Sequence, residues 1–180
     1  MPLIVEDGTG KAGANAYQSA AEVAAYAADH ALPWAPTSDA AGEAALRNAA
    51  TWMDATFRTR LPGARLKGRA QGLEWPRRDA TDASGEELPS DEVPAEWLSA
   101  CAEVATRLLL RPGSLSPDVV VGKVKRSVSV SGAVSVTYAD DGDIVGSQRP
   151  VLTMVEDLLS GLLGDNLQTG RSVVKFLRRA

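Results

Sequence analysis

The chain has 180 residues, 44% apolar and 23% charged, with a net charge of −4. That length builds one ordinary domain with its own core, and the acidic balance excludes a general polycation. The single cysteine, Cys101, excludes an internal disulfide and suits a reducing compartment; no apolar run reaches the ~18 residues of a membrane span, and the amino end lacks a secretory pattern.

In chain order, residues 3–5 form a short apolar run that could serve as an edge strand, followed by a glycine-rich loop, "DGTGKAG". Ser19 with Glu22 spells a capping box, so a first helix is predicted to run to about His30 and to stop before Pro33. "TSDAAGEAALRNAATWMDATFRTRL" carries Ala45, Leu46, Ala49, Trp52, Met53 and Phe57 on one helical face, with Thr37 or Ser38 as the cap. Residues 62–93 show little periodicity and read as a long loop, the kind that is usually functional or disordered. Its charges are segregated. From Arg58 to Arg78 there are seven cations against one acid, Glu74, and from Asp79 to Glu92 there are six acids and no cation.

A third helix is predicted between Pro94 and Pro112, burying Trp97, Leu98, Cys101, Val104, Ala105 and Leu108. "VKRSVSVSGAVSVTY" then alternates with a period of two, giving a β-hairpin over 124–138. A three-residue loop, Ser131–Ala133, pairs Val130 with Val134 and Val128 with Val136, which keeps the valines together; a two-residue loop would mix valines with serines. Pro150 opens a fourth helix with Val151, Met154, Val155, Leu158 and Leu162 on one face. The fold class expected is therefore mainly α: a small bundle of about four helices with an inserted β-hairpin, a body over residues 1–165, and an extended carboxyl-terminal arm over 166–180.

Most candidate chemistry fails on spacing. "GTGKAGA" resembles a phosphate loop, but Val5 stands where the first glycine belongs and Ala12 where Ser or Thr should follow the lysine. The single histidine, His30, has no nucleophile near it in sequence and reads as a helix-end surface residue. Cys101 falls on an apolar stripe and reads as an inert core thiol. Asp140, Asp141 and Asp143 lack the spacing of a calcium loop. The expectation is no enzyme, no cofactor and no metal. "LEWPRR" has two readings. Trp75 with Arg77 and Arg78 has the local composition of a single-strand nucleic-acid contact; alternatively, Leu73 and Trp75 anchor the long loop to the body.

The closing "TGRSVVKFLRRA" interleaves Val173, Val174, Phe176 and Leu177 with Arg171, Lys175, Arg178 and Arg179. Burying four such apolar side chains on a partner yields on the order of 6–12 kcal/mol gross, and ordering about ten residues costs a comparable amount. One arm is weak, and many arms on one assembly act together. Folding back onto the chain's own hairpin as an extra strand is the other reading.

"VEDGTG" with "NAYQSAAEVAAY", then "KGRAQGLEWPRRDA", "VPAEWLSACAEVA" and "VKRSVSVSGAVSVTY", in that order over about residues 4–138, together resemble a family of tailed-phage head–tail connector proteins, the adaptor or head-completion proteins. The same family is also labelled DnaT-like single-strand-binding protein. The acidic stretch "DATDASGEELPSDE" is longer than the family pattern. The resemblance implies a structural protein of the virion head–tail interface, made in the host cytoplasm. It implies a homo-oligomeric ring, usually of twelve, beneath a portal protein, with a stopper or tail terminator on the other face. The arm would dock on the portal and DNA would pass through the channel without specific binding. A ring contact is heterologous and needs unlike, matching side faces, which the basic and acidic parts of 58–92 could supply. The alternative function is single-stranded nucleic-acid binding.

Overall fold

The computed structural model describes residues 1–116, 127–130, 134–137 and 150–163. The predicted boundary between body and arm lies outside them. The helices are α1 (Ala20–Asp29), α2 (Asp39–Phe57), α3 (Ala95–Leu110) and α4 (Thr153–Leu159). Two short strands, β1 (Ala64–Arg65) and β2 (Arg77–Arg78), pair antiparallel within the long loop; β3 (Ser127–Val130) and β4 (Val134–Thr137) form the hairpin. The mainly α bundle with a β-hairpin is the predicted architecture. The hairpin register is also the predicted one, with Val130 opposite Val134 and Val128 opposite Val136.

Local chemistry sets the helix starts. Ser19 Oγ accepts from the Glu22 N–H while Glu22 reaches back to the Ser19 N–H at 2.7 Å, completing the capping box. Ser38, of the two candidates, caps α2 by accepting from the Ala41 N–H. The central element is α3, which packs chiefly against α2, then α4, with α1 alongside. Its burial exceeds the predicted stripe, for Ala100 through Thr106 are all buried and Leu98 is half-buried. Small residues make this possible, since alanines let neighbouring helices approach closely on several sides.

Three expectations need correction. The fourth helix begins at Thr153, not at Pro150, and its buried stripe is Leu152, Val155, Leu159, Leu162 and Leu163; Val151 and Met154 are exposed. Val151 precedes the helix, and within its 7 residues the buried face runs through Val155 and Leu159, one turn apart, which leaves Met154 toward solvent. Residues 3–5 do not make a strand: Val5 forms a single parallel bridge to Ala16. Residues 62–93 are not a featureless loop. They hold the β1–β2 ladder and a 3₁₀ turn at Gly68–Ala70, and residues 73–77 are buried without a break.

The glycine-rich loop explains itself at atomic level. Glu6 is buried, and its carboxylate accepts from the backbone N–H groups of Gly8, Gly10 and Lys11 at 2.8–3.1 Å. This is a backbone nest of the kind that elsewhere holds a phosphate, here filled by the chain's own anion. Gly8, at φ 90°, sits so close to the Asp91 carbonyl that a Cβ would lie 1.7 Å from it. The loop is thus packed against the end of the acidic stretch. Glu6→Ala strips three backbone donors of their acceptor; denaturant titration should show a loss of about 2–4 kcal/mol. Asp7→Ala, whose exposed carboxylate meets Thr9 and Lys11 among the described residues, should leave the unfolding midpoint nearly unchanged.

Candidate functional site

The segment from Arg58 to Arg78 leaves the end of α2, turns at Pro62–Gly63, runs through β1 and the 3₁₀ turn, and returns through the core to β2. A buried irregular segment must find a partner for each backbone polar group. Gln71 does much of this. Its side-chain amide donates to the Leu73 and Pro76 carbonyls at 2.8 and 3.1 Å and its oxygen accepts from the Lys67 N–H. Gly72 passes Ala14 so closely that a Cβ would lie 2.3 Å from the Ala14 carbonyl oxygen.

Two buried carboxylates hold the rest. Asp54, on the core face of α2, accepts from the Tyr17 hydroxyl at 2.5 Å and from the Glu74 N–H at 3.1 Å. The Tyr17 oxygen in turn accepts from the Glu74 and Trp75 N–H groups. Burial is the main force pushing the Asp54 carboxyl up to about 7, against the hydrogen bond from Tyr17 that favours its ionised form. The Tyr17 hydroxyl is driven well above its usual range, first by burial and then by Asp54.

Glu74 gathers cations. Arg58 Nε donates to one carboxylate oxygen at 2.7 Å; Arg77 Nη1, at 2.9 Å, and Arg65 Nε, at 3.5 Å, meet the other. Arg77 is the inner member and is buried, donating as well to the Pro62, Gly63 and Glu74 carbonyls. Burial lowers its pKa, with Glu74 opposing. Arg58 and Arg65 are the outer members, with side chains 60% and 30% exposed. Three cations against one carboxylate leave two positive charges in excess, and the chain continues from Arg65 into exposed Lys67 and Arg69.

Trp75 is fully buried. Its ring lies 6.3 Å from Trp97, which also meets Tyr17 and Phe57 edge to face. Of the two readings of "LEWPRR", the geometry is that of an anchor: Leu73, Trp75 and Arg77 are buried, and Arg78 alone of the three candidate contacts is exposed. Trp75 cannot stack on a base without leaving the core. The arm residues Arg171, Val173, Val174, Lys175, Phe176, Leu177, Arg178 and Arg179 lie outside the described residues. His30 is exposed at the end of α1 and stacks on Tyr26. Cys101 is a buried free thiol, driven upward in pKa by burial. Among the described residues no cluster of three or more His, Cys, Asp or Glu is placed to hold a metal, and no helix is long and apolar enough to cross a membrane.

A family model described as "Putative DnaT-like ssDNA binding protein" matches residues 1–180. The chain belongs to this family. No curated protein and no solved structure matches it. In this DnaT-like chain the residues that order the site are Tyr17, Asp54 and Glu74, none of which the sequence reading singled out as a site residue. A signal was present for two of them: Asp54 falls among Leu46, Ala50, Met53 and Phe57 on a core face, and Glu74 is the lone acid in the cationic stretch.

The Asp54 shift has a definite sign. Its folded pKa, about 7, lies above the ordinary 3.8, so its contribution to stability is complete below pH 3.8 and is lost as pH rises toward 7. Denaturant midpoints measured from pH 4 to 8 should therefore fall for the wild type relative to Asp54→Asn, with the change concentrated below about pH 7. A constant difference between the two would contradict the assignment.

Proposed function

We propose that this protein binds single-stranded DNA, without catalysis and without base specificity, through the cation cluster on Glu74. The observation that carries the reading is the preorganised pair of outer guanidinium groups, Arg58 and Arg65, held at a buried carboxylate with positive charge to spare. The family description supports the same class of ligand. The contact is with the backbone: guanidinium groups pair with phosphate oxygens in fork geometry, and the buried Trp75 takes no part. Affinity of this kind is salt-dependent, the log–log slope changing by about 0.7 for each phosphate contact to a single strand. Fluorescence anisotropy with a labelled oligo-dT should show binding that weakens steeply with salt. Arg58→Ala/Arg65→Ala, which leaves Arg77 on Glu74, should weaken it and shrink the slope by about 1.4. No binding at low salt, or an unchanged slope in the double variant, rejects the reading.

A second reading is a structural head–tail adaptor: a ring beneath a portal, passing DNA through its channel to a stopper or tail terminator. It is favoured by the stretch "SVVKFLRR", whose mixture of apolar and cationic residues suits docking on a foreign surface, and by the loss of Trp75 as a stacking group. Deleting residues 168–180 should then leave a folded protein that no longer joins portal-bearing capsids, as seen by electron microscopy. Undiminished recruitment of the truncated chain contradicts this reading.

A further inference from the structure

Asp54 occupies an unusual position relative to the cation cluster. Its Oδ2 accepts from the backbone N–H of Glu74, the residue whose side chain collects Arg58, Arg65 and Arg77. Arg58 follows it by one helical turn, and the Arg58 N–H closes the helix on the Asp54 carbonyl. The cluster and this buried acid are thus joined by one peptide unit and one helical turn.

The groups facing Asp54 come from four places. Tyr17, ahead of α1, donates the short hydrogen bond. Arg58, on the same helix, favours the ionised form, and Glu74, on the returning loop, opposes it. Cys101, on α3, is a buried thiol whose pKa burial raises, with Asp54 adding to the rise. Of these, Arg58 and Glu74 belong to the cluster, so the electrostatic coupling between Asp54 and the cluster is direct.

We propose that Asp54 regulates the cation cluster by gaining and losing a proton, so that polyanion binding weakens as the pH rises. The proposal rests on the reading that the cluster binds single-stranded DNA. With Asp54 protonated, Arg58, Arg65 and Arg77 outnumber Glu74 by two charges. With Asp54 ionised, a second carboxylate stands beside the cluster and the excess falls to one. The negative charge of Asp54 also lowers the positive potential at Arg58, whose own charge favours the ionised form of Asp54. The site is poorly screened on the Asp54 side because that side is protein interior. Linkage requires the converse as well: bound DNA holds the proton on Asp54 and raises its pKa. Asp54 is pushed up to about 7 in the free protein, so the change falls where small shifts in pH alter its charge.

The test is a titration of oligo-dT affinity from pH 6 to 8 at low salt, read by anisotropy of a pH-insensitive rhodamine label. The wild type should bind about 3–10-fold more weakly at pH 8 than at pH 6. Asp54→Asn should abolish most of that dependence, which separates Asp54 from other groups that change charge near neutrality. Tyr17→Phe removes a hydrogen bond to the ionised carboxylate, so it should move the transition to higher pH. Parallel pH dependence in wild type and D54N, or tight binding with no pH dependence in the wild type, overturns the proposal. A second arm needs no DNA: the Asp54 side-chain carboxyl carbon, followed by NMR, should titrate with a midpoint near 7. A midpoint below about 5 overturns the proposal by itself. Absence of oligo-dT binding at every pH, with the carboxyl titrating near 7, strikes the nucleic-acid reading and removes the proposal's ligand while leaving the proton site established.

Discussion

Burying an irregular stretch of backbone is the constraint on which this structure turns. Residues 73–77 cross the interior with neither a helix nor a sheet of any length to absorb their polar groups. Asp54, Gln71 and Tyr17 supply acceptors and donors from outside the segment or from its edge, and Glu74 compensates by drawing in Arg77. Without that set of polar pairs, Trp75 could not be delivered to the centre of the molecule, where it meets Trp97. The aromatic core and the surface charge cluster are consequently two ends of one arrangement. The apolar end excludes water, and exclusion of water strengthens the ion pairs on the other side.

Much of the fold was legible because most of it obeys local rules. Ser19–Glu22 and the Thr37–Ser38 pair announce helix starts, prolines and glycines mark the stops, and Val128, Val130, Val134 and Val136 fix the hairpin register through strict alternation. Legibility failed where the cause is tertiary. Nothing periodic in "QGLEWPRR" says that the stretch is buried, because its partners, Asp54 and Tyr17, are distant in sequence. Trp75 beside two arginines has the composition of a stacking site and also of a core anchor, and only burial distinguishes them. The face of α4 was misjudged for a simpler reason: a helix of 7 residues gives its period too few repeats to settle the phase.

The glycine loop and the arginine cluster illustrate opposite ways of treating an anion. At residues 6–11 the chain supplies its own carboxylate and satisfies the backbone donors completely, so the nest is closed to visitors. At Glu74 the carboxylate is outnumbered, and the outer guanidinium groups keep donor capacity facing solvent. Affinity for phosphate follows the balance of charges and donors at a point, and neither residue composition nor net charge predicts it. An acidic protein can therefore present a cationic contact.

The acidic stretch is also tied to the last described helix. The Ala83 N–H donates to the Gly161 carbonyl at 2.8 Å, and Arg60 Nη1 donates to both Glu156 carboxylate oxygens at 2.8 Å. The segment that ends at Leu163 is therefore fastened on two sides, to residues 60 and 83 by these polar links and to α3 by the packing of α4. A displacement of α4 would disturb both the surface just past the end of α2 and the packing of α3.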